Sequence, residues 1–465
     1  MSGRKSRISK IREKKMSPEP NGTSMQVFHK YDQALTIVRT LRQKGHTALM
    51  AGGCVRDILM RRRPQDYDIV TSARPEQVRE LFENTIPVGE KFGVVLVRSG
   101  GVEFEVATFR SDEEYKDGRH PEGVRYADER ADAQRRDFTV NGMFYEPVEG
   151  KVIDLVGGED DINNRVIRAI GNPEARFNED YLRMLRAVRF SIALEFNIEP
   201  HTLKALQNNA AKITQISPER IREELEKIIV HPTRTSALKM LDDTGLLGAI
   251  LPEVTAGKGV RQGRRLHPEG DVWEHTLLAM SLLENPSFEL AMAVLLHDVG
   301  KPVTADPGAE RLFPEHERVG EEIARKIAER LRLSKRETEI IGFLVRHHMM
   351  LKDVTGMRKS TLKRLLGHDL FPQIAELHRI DALASNKDLS NYDFAMAAKK
   401  SLSQEALKPK PLLTGNDLAA VGVQPGPKMG AILKRLYTAQ LDEQISTREE
   451  ALEMAARLAG EPPTE

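Results

Sequence analysis

The stretch MAGGCVRDILMRRRPQDYDIV, residues 50–70, contains the residues that decide the fold. Two adjacent glycines, ending at Gly53, close a short apolar run, and glycine lets a backbone approach a phosphate closely. Arg56 follows them and can pair with the same phosphate through two hydrogen bonds. Asp66 and Asp68 are one residue apart, so on a β-strand both carboxylates would point to the same face. Paired carboxylates suit hard divalent cations, and the stretch therefore predicts a metal site for phosphoryl transfer.

An Asp-x-Asp pair alone is weak evidence, because it also occurs in solvated turns and helix caps. Here the pair follows the glycines and Arg56 in one order, GGCVRD and then DYDI. This order resembles the class II tRNA nucleotidyltransferases and bacterial poly(A) polymerases of the polymerase-β-like superfamily. The resemblance implies that Asp66 and Asp68 are the catalytic residues and hold Mg²⁺. It also implies that Gly53 and Arg56 bind the nucleotide.

Composition sets limits on the class of protein. The 465 residues are 40% hydrophobic and 30% charged, which is enough for about three globular domains. The single cysteine, Cys54, excludes an intramolecular disulfide and fits a reducing cytoplasm. No apolar run approaches the roughly 18 residues that a membrane span needs. We therefore expect a cytoplasmic protein with no membrane partner, while the net charge of +1 does not reveal where basic groups cluster.

A third acidic residue is a candidate neighbour of the aspartate pair. In VEFEVAT, residues 102–108, Glu103 and Glu105 alternate with apolar residues, as on a strand. Glu105 could therefore lie near Asp66 and Asp68. An edge strand that presents acidic residues to water explains the pattern equally well, so Glu105 is not part of the predicted metal site.

A polar segment follows this strand and resumes a regular pattern only at RRDFTVNGM, residues 135–143. Long irregular loops inside compact domains are usually functional or disordered. The part YKDGRHPEGV, residues 115–124, resembles the flexible loop of CCA-adding enzymes. The resemblance implies that Arg136 binds the nucleotide and that the chain is competent to add adenosine. Gly142 stands where the family commonly has alanine, which is a small change.

The segment GNPEARFNEDYLRMLRAVRFSIAL, residues 171–194, has helical periodicity. Arg183, Arg186 and Arg189 form a stripe opposite its apolar face, and Asp180 is expected one turn before Arg183 on the same helix. A salt-bridged solvent face is the alternative reading. Cytosine and adenine both offer an amino donor beside a ring-nitrogen acceptor. A carboxylate beside a guanidinium would pair with either base and reject uracil and guanine.

The motif EDYLRMLRAVRF, beginning at Glu179, resembles the nucleotide-selecting helix of the same family. The resemblance implies that Asp180 and Arg183 select CTP and ATP without a nucleic-acid template. It also implies that Arg186 and Arg189 contribute to nucleotide binding by holding triphosphate or RNA backbone. The following SPERIREELEKII, residues 217–229, predicts a helix that starts at its Ser-Pro-Glu signal. That helix belongs either to an RNA-carrying neck or to a plain helical linker.

Histidines and aspartates recur in the second half of the chain. Single histidines on apolar helices are more often core residues than ligands, but a His-Asp pair with further partners suits a divalent transition metal. The pattern resembles the HD phosphohydrolase domain, and the resemblance implies a minimal metal-ligand set of His275, His297, Asp298 and Asp381. His316 and His347 would complete a second metal site, and Lys301 would contact a phosphate. Some family members with this domain hydrolyse 2′-nucleotides, 2′,3′-cyclic nucleotides or phosphate ends.

Together these patterns predict an α+β fold, in which a small mixed β-sheet head is followed by all-α domains. The expected parts are a disordered basic tail, residues 1–24; a nucleotidyltransferase head, residues 25–150; a helical RNA-binding neck, residues 151–250; an HD domain, residues 251–400; and a helical C-terminal tail region, residues 401–465. The basic tail either helps to hold RNA or is a solvated segment without a role. In the last part, GVQPGPKMG predicts a turn between two helices.

The resemblance implies a Mg²⁺-dependent CCA tRNA nucleotidyltransferase whose partners are tRNA, CTP and ATP. Its HD domain would hold a divalent transition metal and act as a phosphohydrolase. A poly(A) polymerase shares the head and neck signature, but KFGVV, residues 91–95, resembles the CCA-adding enzymes. An enzyme that adds only the terminal adenosine, and a phosphohydrolase whose first half only binds RNA, are further alternatives.

Overall fold

The computed structural model describes residues 23–86, 93–112, 124–263, 270–306 and 313–460. These residues form two compact units, residues 1–250 and 251–465, which are described separately below. The predicted basic tail lies outside the described residues up to residue 22, and so does most of the predicted flexible loop. None of the helices in the described parts of the chain is both long and apolar enough to cross a membrane.

A mixed sheet of seven strands forms the centre of the first unit, in the order β3-β4-β5-β2-β1-β8-β9. Strands β2 and β5 run parallel, and the other neighbouring strands pair antiparallel. The predicted α+β fold class is therefore confirmed. The strands of this sheet are β1 (Ala48–Ala51), β2 (Asp68–Thr71), β3 (Thr85–Ile86), β4 (Val94–Ser99), β5 (Val102–Thr108), β8 (Phe144–Glu146) and β9 (Lys151–Ile153). A separate hairpin pairs β6 (Arg110–Asp112) with β7 (Val124–Tyr126).

Both faces of the sheet are buried where β1 pairs with β2. Met50 and Ile69 face each other on one side, in one core cluster with residues of the first helix. Leu49 and Val70 lie on the opposite side, in a second cluster. Since successive strand residues alternate between faces, burial on both sides explains why these strands read as continuous apolar runs. The covering helices are α1 (Thr23–Gln43), α2 (Gly53–Leu59), α3 (Pro75–Leu81) and α4 (Glu129–Arg135).

The β4–β5 hairpin sets the position of Glu105. Gly100 and Gly101 form a two-residue connection with φ of 57° and 79°, and Ser99 pairs with Val102 across it. Two consecutive residues with positive φ match the tight hairpin turn that glycine favours. The register places Val106 beside Ile69 of β2, so Glu105 lies near the start of the strand that begins at Asp68.

Helices complete the first unit after the sheet. Helix α9 begins with Pro218 directly after Ser217, as the sequence predicts, and buries Ile221, Leu225 and Ile228. A two-residue parallel pair, β10 (Val166–Ile167) with β11 (Asn197–Ile198), lies among the helices. The helices are α5 (Gly158–Asn164), α6 (Pro173–Glu179), α7 (Leu182–Leu194), α8 (Pro200–Asn209), α9 (Pro218–Ile229), α10 (Arg234–Asp243) and α11 (Leu246–Ile250).

The second unit is built from helices α12 to α24. Helix α14 is buried on nearly every side, which explains its almost unbroken apolar sequence. The last three helices share a core of their own, and the predicted turn separates α22 from α23. The helices are α12 (Pro252–Thr255), α13 (Val272–Ser281), α14 (Phe288–Leu296), α15 (Lys301–Thr304), α16 (His316–Arg330), α17 (Lys335–His347), α18 (Lys359–Leu366), α19 (Phe371–Ala384), α20 (Ser390–Ser401), α21 (Gln404–Leu407), α22 (Gly415–Ala420), α23 (Pro427–Leu441) and α24 (Arg448–Gly460).

Candidate active sites

The aspartate pair lies at the start of β2. The strand begins at Asp68, so Asp66 precedes it instead of sharing the strand as expected. The Asp66 carboxylate lies 3.1 Å from Lys30 Nζ. Gly52 has a φ of 72°, and a Cβ there would lie 3.4 Å from both Asp68 Oδ2 and Arg136 Nη1. This glycine therefore allows the backbone, a carboxylate and a guanidinium to converge on one point.

The electrostatics of Asp68 fit a cation site. Burial and the negative charge of Glu105 raise the pKa of Asp68 to about 6, and Asp66 adds to the effect while Arg136 opposes it. Asp68 therefore lies close enough to two other carboxylates for their negative charge to disfavour its ionisation, and a bound cation would relieve this repulsion. Carboxylate oxygens are also the ligands that Mg²⁺ prefers, so this donor set fits Mg²⁺.

Two of the predicted nucleotide-binding arginines are held in place by hydrogen bonds. Arg56 donates to Asn141 Oδ1 at 2.7 Å and to Asp57. Arg136 donates from Nε and Nη2 to Oδ2 of Asp132, at 3.1 and 3.0 Å, and the Asp132 side chain is fully buried. A Cβ on Gly53 would lie 3.5 Å from Arg56 Nη2. The predicted nucleotide-binding arginines are therefore fixed in direction.

Asp180 is placed differently from the prediction. Helix α6 ends at Glu179 and α7 begins at Leu182, so Asp180 lies between two helices and not one turn before Arg183 on the same helix. Its backbone is extended, with a φ of −154°. Arg220 of α9 donates to both of its carboxylate oxygens, at 3.1 and 2.7 Å.

The arginine stripe of α7 is paired and largely buried. Arg183 donates to Glu179 at 2.5 Å, Arg186 to Asp137 at 2.9 and 2.7 Å, and Arg189 to Glu224 at 2.6 Å. The exposed fractions of the three arginine side chains are 10%, 33% and 20%. The three arginines are salt-bridged, as the alternative predicts, but they are largely buried and do not form a solvent-exposed helix face. Burial alone would raise the pKa of Asp137, but the Arg186 guanidinium overcomes it and lowers that pKa.

In the second unit, six side chains from α13, α16, α19 and the C-terminal ends of α14 and α17 form a cluster that we call the histidine cluster. Two groups of ligand atoms lie within it, each with its atoms less than 4.8 Å apart. The first group is His275, His297 and Asp381, and the second is Asp298, His316 and His348. The four predicted ligands are brought together. The expected second-site ligand His347 is wrong, because its ring packs on Phe343 at 4.1 Å and its neighbour His348 occupies the site.

The tautomers of the cluster histidines favour metal binding. Nδ1 of His297, His316 and His348 lies 2.8, 3.1 and 2.7 Å from a backbone carbonyl oxygen. A carbonyl oxygen can only accept, so Nδ1 carries a proton, and each ring in its neutral form would present the Nε2 lone pair to the cluster. Burial and the charge of His297 lower the pKa of His348 to about 3, which keeps that ring neutral.

The Nε2 atoms of the cluster face one another. The His275 and His297 atoms are 3.2 Å apart, and the His316 and His348 atoms are 3.3 Å apart. For His316 and His348, whose Nδ1 atoms both donate to carbonyl oxygens, the facing Nε2 lone pairs are explained by a shared cation. Imidazole and carboxylate ligands together fit a divalent transition metal.

Asp298 connects the two groups. Its Oδ2 lies 3.2 Å from His297 Nε2, and its Oδ1 lies 3.6 Å from His316 Nε2. Burial alone would raise the pKa of Asp298, but His297 and the Lys301 ammonium hold it well below its usual range. One carboxylate thus faces both groups, and the residues present could hold two cations.

His348 was not among the predicted ligands, although the sequence contains a signal for it. Ile341, Leu344 and Val345 are buried on α17, and His348 follows at the helical spacing of that face. His347 is one position off the face. Periodicity therefore distinguishes the two adjacent histidines, whereas residue type does not.

Three family models match the chain. The poly A polymerase head domain matches residues 48–168, the probable RNA and SrmB-binding site of polymerase A matches residues 195–258, and the HD domain matches residues 272–386. CCA-adding enzymes of Geobacillus sp. (strain WCH70) and Lactobacillus helveticus (strain DPC 4571) are 45% and 43% identical over 217 residues. Both alignments cover 46% of this chain and 54% of the relative, so the chain spans about half the length of these curated relatives.

Solved structures are similar over most of the chain. The Bacillus stearothermophilus CCA-adding enzyme in complex with CTP has a TM-score of 0.69 at 26% identity, covering 92% of this chain and 97% of that chain. A CCA-adding enzyme in apo form II has a TM-score of 0.61 at 19% identity, covering 92% and 95%, and this likeness concerns the fold. One chain therefore combines matches to the poly A polymerase head domain, to an RNA-binding site of polymerase A and to an HD domain. Over about half of its length it is similar to CCA-adding enzymes.

Proposed function

We propose that the chain is a CCA tRNA nucleotidyltransferase that adds C, C and A to the 3′ end of tRNA from CTP and ATP, without a nucleic-acid template. The convergence of Gly52, Asp68 and Arg136 is the observation that carries the proposal. It combines a carboxylate that can bind a metal ion, a guanidinium held in place and a backbone that a phosphate can approach closely. Binding and reaction of a triphosphate require these three features. The identity of the CCA-adding relatives supports the choice of reaction.

In the proposed reaction, the tRNA 3′-hydroxyl oxygen forms a bond to the α-phosphorus of CTP or ATP, and pyrophosphate leaves. Mg²⁺ held by Asp66 and Asp68 would activate the hydroxyl and stabilise the negative charge on the leaving group. Arg56 and Arg136 bind phosphate oxygens of the nucleotide. Their hydrogen bonds to Asn141 and Asp132 hold both guanidinium groups in position before the nucleotide arrives.

Base selection is assigned to Asp180 and Arg183. The Asp180 carboxylate accepts from the amino group of cytosine or adenine, and Arg183 donates to the ring nitrogen. Uracil and guanine would leave both side chains without suitable partners. Arg186 and Arg189 lie on the same face of α7 as Arg183. They add positive charge that attracts the triphosphate or the RNA backbone.

The histidine cluster is proposed as a second active site, a metal-dependent phosphohydrolase. Its donor set supports a divalent transition metal, with Asp298 facing both ligand groups. The metal would supply an activated water for attack on a phosphate ester. Lys301, buried beside Asp298, adds a positive charge for the phosphate. The substrate class is a nucleotide or RNA end that carries a 2′-, 2′,3′-cyclic or terminal phosphate.

The proposed division of the chain follows the expected parts: head 25–150, neck 151–250, HD domain 251–400 and tail region 401–465. A cytoplasmic location belongs to the same proposal, since Cys54 is a buried free thiol. A poly(A) polymerase and an enzyme that adds only the terminal adenosine remain the alternative products of the same head.

In the deciding experiment, purified protein and Mg²⁺ are incubated with three tRNAs, which end at the discriminator base, at C and at CC. Labelled CTP, ATP or both are supplied, and products are resolved by single nucleotides. Completion of CCA on all three tRNAs is the expected result. One A added only to the CC-ended tRNA would indicate an A-adding enzyme, and long A tails would indicate a poly(A) polymerase. An absence of extension would overturn the proposal for the head.

A further inference from the structure

Gln262 lies beside the histidine cluster and is buried, with 6% of its surface exposed. It precedes α13, which contributes His275. Its Oε1 atom lies 2.6 Å from Lys301 Nζ, and Lys301 Nζ in turn lies 2.6 Å from Asp298 Oδ2. A chain of hydrogen bonds therefore runs from Gln262 through the ammonium to the carboxylate that faces both ligand groups.

The direction of the Gln262 amide follows from this contact. An ammonium group can only donate, so the amide oxygen must face Lys301 and the amide nitrogen must point away from it. That nitrogen is buried and has no hydrogen-bond partner among the described residues. Buried side-chain donors in native proteins are nearly always paired. The unpaired NH₂ group of Gln262, next to the Lys301 ammonium, therefore indicates a ligand that accepts its hydrogen bond.

The chemistry of that ligand follows from the groups around it. Gln262 turns its oxygen to Lys301 and leaves two N–H donors unused, and Lys301 adds a positive charge between Gln262 and Asp298. Donors next to a cation suit an oxyanion, whereas an amino group or another cation would meet only donors and positive charge. A tetrahedral phosphate has enough acceptor oxygens to contact the amide nitrogen and a metal in the cluster at once.

We propose that Gln262 binds the phosphate of the substrate in the HD site, donating a hydrogen bond from Nε2 to a non-bridging phosphate oxygen while its Oε1 holds Lys301. This inference rests on the proposed phosphohydrolase function, and it adds a substrate-binding residue to the metal ligands. The purely structural alternative is that Gln262 only fixes Lys301, in which case replacing it would change stability but leave phosphate binding unaltered.

The test uses the full chain with Asp68→Asn, which removes the metal site of the head, and Mn²⁺ as the metal. Binding of Mn²⁺ is measured by electron paramagnetic resonance, and binding of inorganic phosphate by the ³¹P line broadening that bound Mn²⁺ causes. Gln262→Glu keeps an acceptor for Lys301 but replaces the donors with negative charge. Gln262→Met removes both groups at similar volume. Gln404→Glu, at an exposed position of α21, is the matched control.

Gln262→Glu is expected to raise the phosphate dissociation constant by about tenfold or more, and Gln262→Met by several fold, since a hydrogen bond to a charged group is lost. The Mn²⁺ dissociation constant and the melting temperature should change little, and Gln404→Glu should match the parent. Unchanged phosphate binding in both Gln262 variants would overturn the inference and leave the phosphohydrolase function standing. A parent protein that binds neither Mn²⁺ in the cluster nor phosphate would overturn both.

Discussion

Arg220 holds the carboxylate of Asp180 through two hydrogen bonds, of 3.1 and 2.7 Å. The Oδ1 atom of Asp180 also accepts from the backbone N–H of Leu182 at 3.1 Å. Among the described residues, Oδ2 accepts only from Arg220, so it keeps a lone pair. Asp180 is therefore fixed in direction by α9 and still able to accept a hydrogen bond from a base.

This arrangement predicts the effect of Asp180→Ala. The variant loses the acceptor for the amino group of cytosine or adenine, so discrimination against UTP should fall by about 100-fold. The measurement compares kcat/KM for CTP and UTP on a tRNA that lacks CCA. Asp243→Ala, at an exposed position of α10, provides the control. Discrimination equal to that of the parent protein would show that Asp180 does not read the base.

Short sequence motifs predicted those parts of the two candidate sites whose residues lie close together in the chain. The Asp66 and Asp68 pair, the strand that follows it and the His297-Asp298 pair are encoded in short motifs, and the structure contains them near their expected places. The hairpin at Gly100 was also predictable, because consecutive glycines favour the positive φ values it needs.

The remaining features depend on packing between distant segments. Arg220 reaches Asp180 only because α9 lies against the α6–α7 junction, and no local pattern encodes that contact. The same holds for Gln262 and Lys301, which are 39 residues apart. Glu105 remained ambiguous because its pattern fits both an exposed edge strand and a position beside β2. The parallel pairing of β2 with β5 resolves that choice.

Asp298 faces both ligand groups of the histidine cluster, and this position predicts how the metal content changes with mutation. Asp298→Asn should weaken both metal positions of the cluster, by about 100-fold or more, since the ligand they share loses its charge. His316→Ala should remove one of the two positions. Co²⁺ titration of the Asp68→Asn protein, followed by visible absorption, counts the bound ions. His347→Ala is the control, because His347 packs on Phe343 outside the cluster and should keep full metal content. Loss of an ion in that control would contradict the assignment of His348.

The raised pKa of Asp68 predicts a pH dependence of Mg²⁺ binding. Folding raises the pKa of Asp68 from 3.8 to about 6. The protonated carboxyl therefore contributes to the stability of the fold below pH 4, and this contribution is lost as the pH rises through 6. Mg²⁺ must displace the proton below pH 6, and its apparent affinity should fall by about tenfold per pH unit there. The increase in melting temperature on adding Mg²⁺ should be larger at pH 7.5 than at pH 5. The Asp68→Asn variant should lose this difference, and an equal Mg²⁺ effect at both pH values in the parent would contradict the prediction.

Gly300 directly precedes α15 and packs closely against helix α16. A Cβ on Gly300 would lie 2.1 Å from the His316 carbonyl oxygen and 2.8 Å from the Gly320 nitrogen. Both neighbours are backbone atoms, so Gly300→Ala must push α16 away and displace His316. The free energy of unfolding should fall by about 3 kcal/mol, and Co²⁺ binding to the second ligand group should weaken. Urea unfolding and Co²⁺ titration measure the two effects. Gly356→Ala, where the added Cβ meets nothing within 4 Å, should change neither quantity. Full stability in Gly300→Ala would mean that α15 and α16 are not packed this closely.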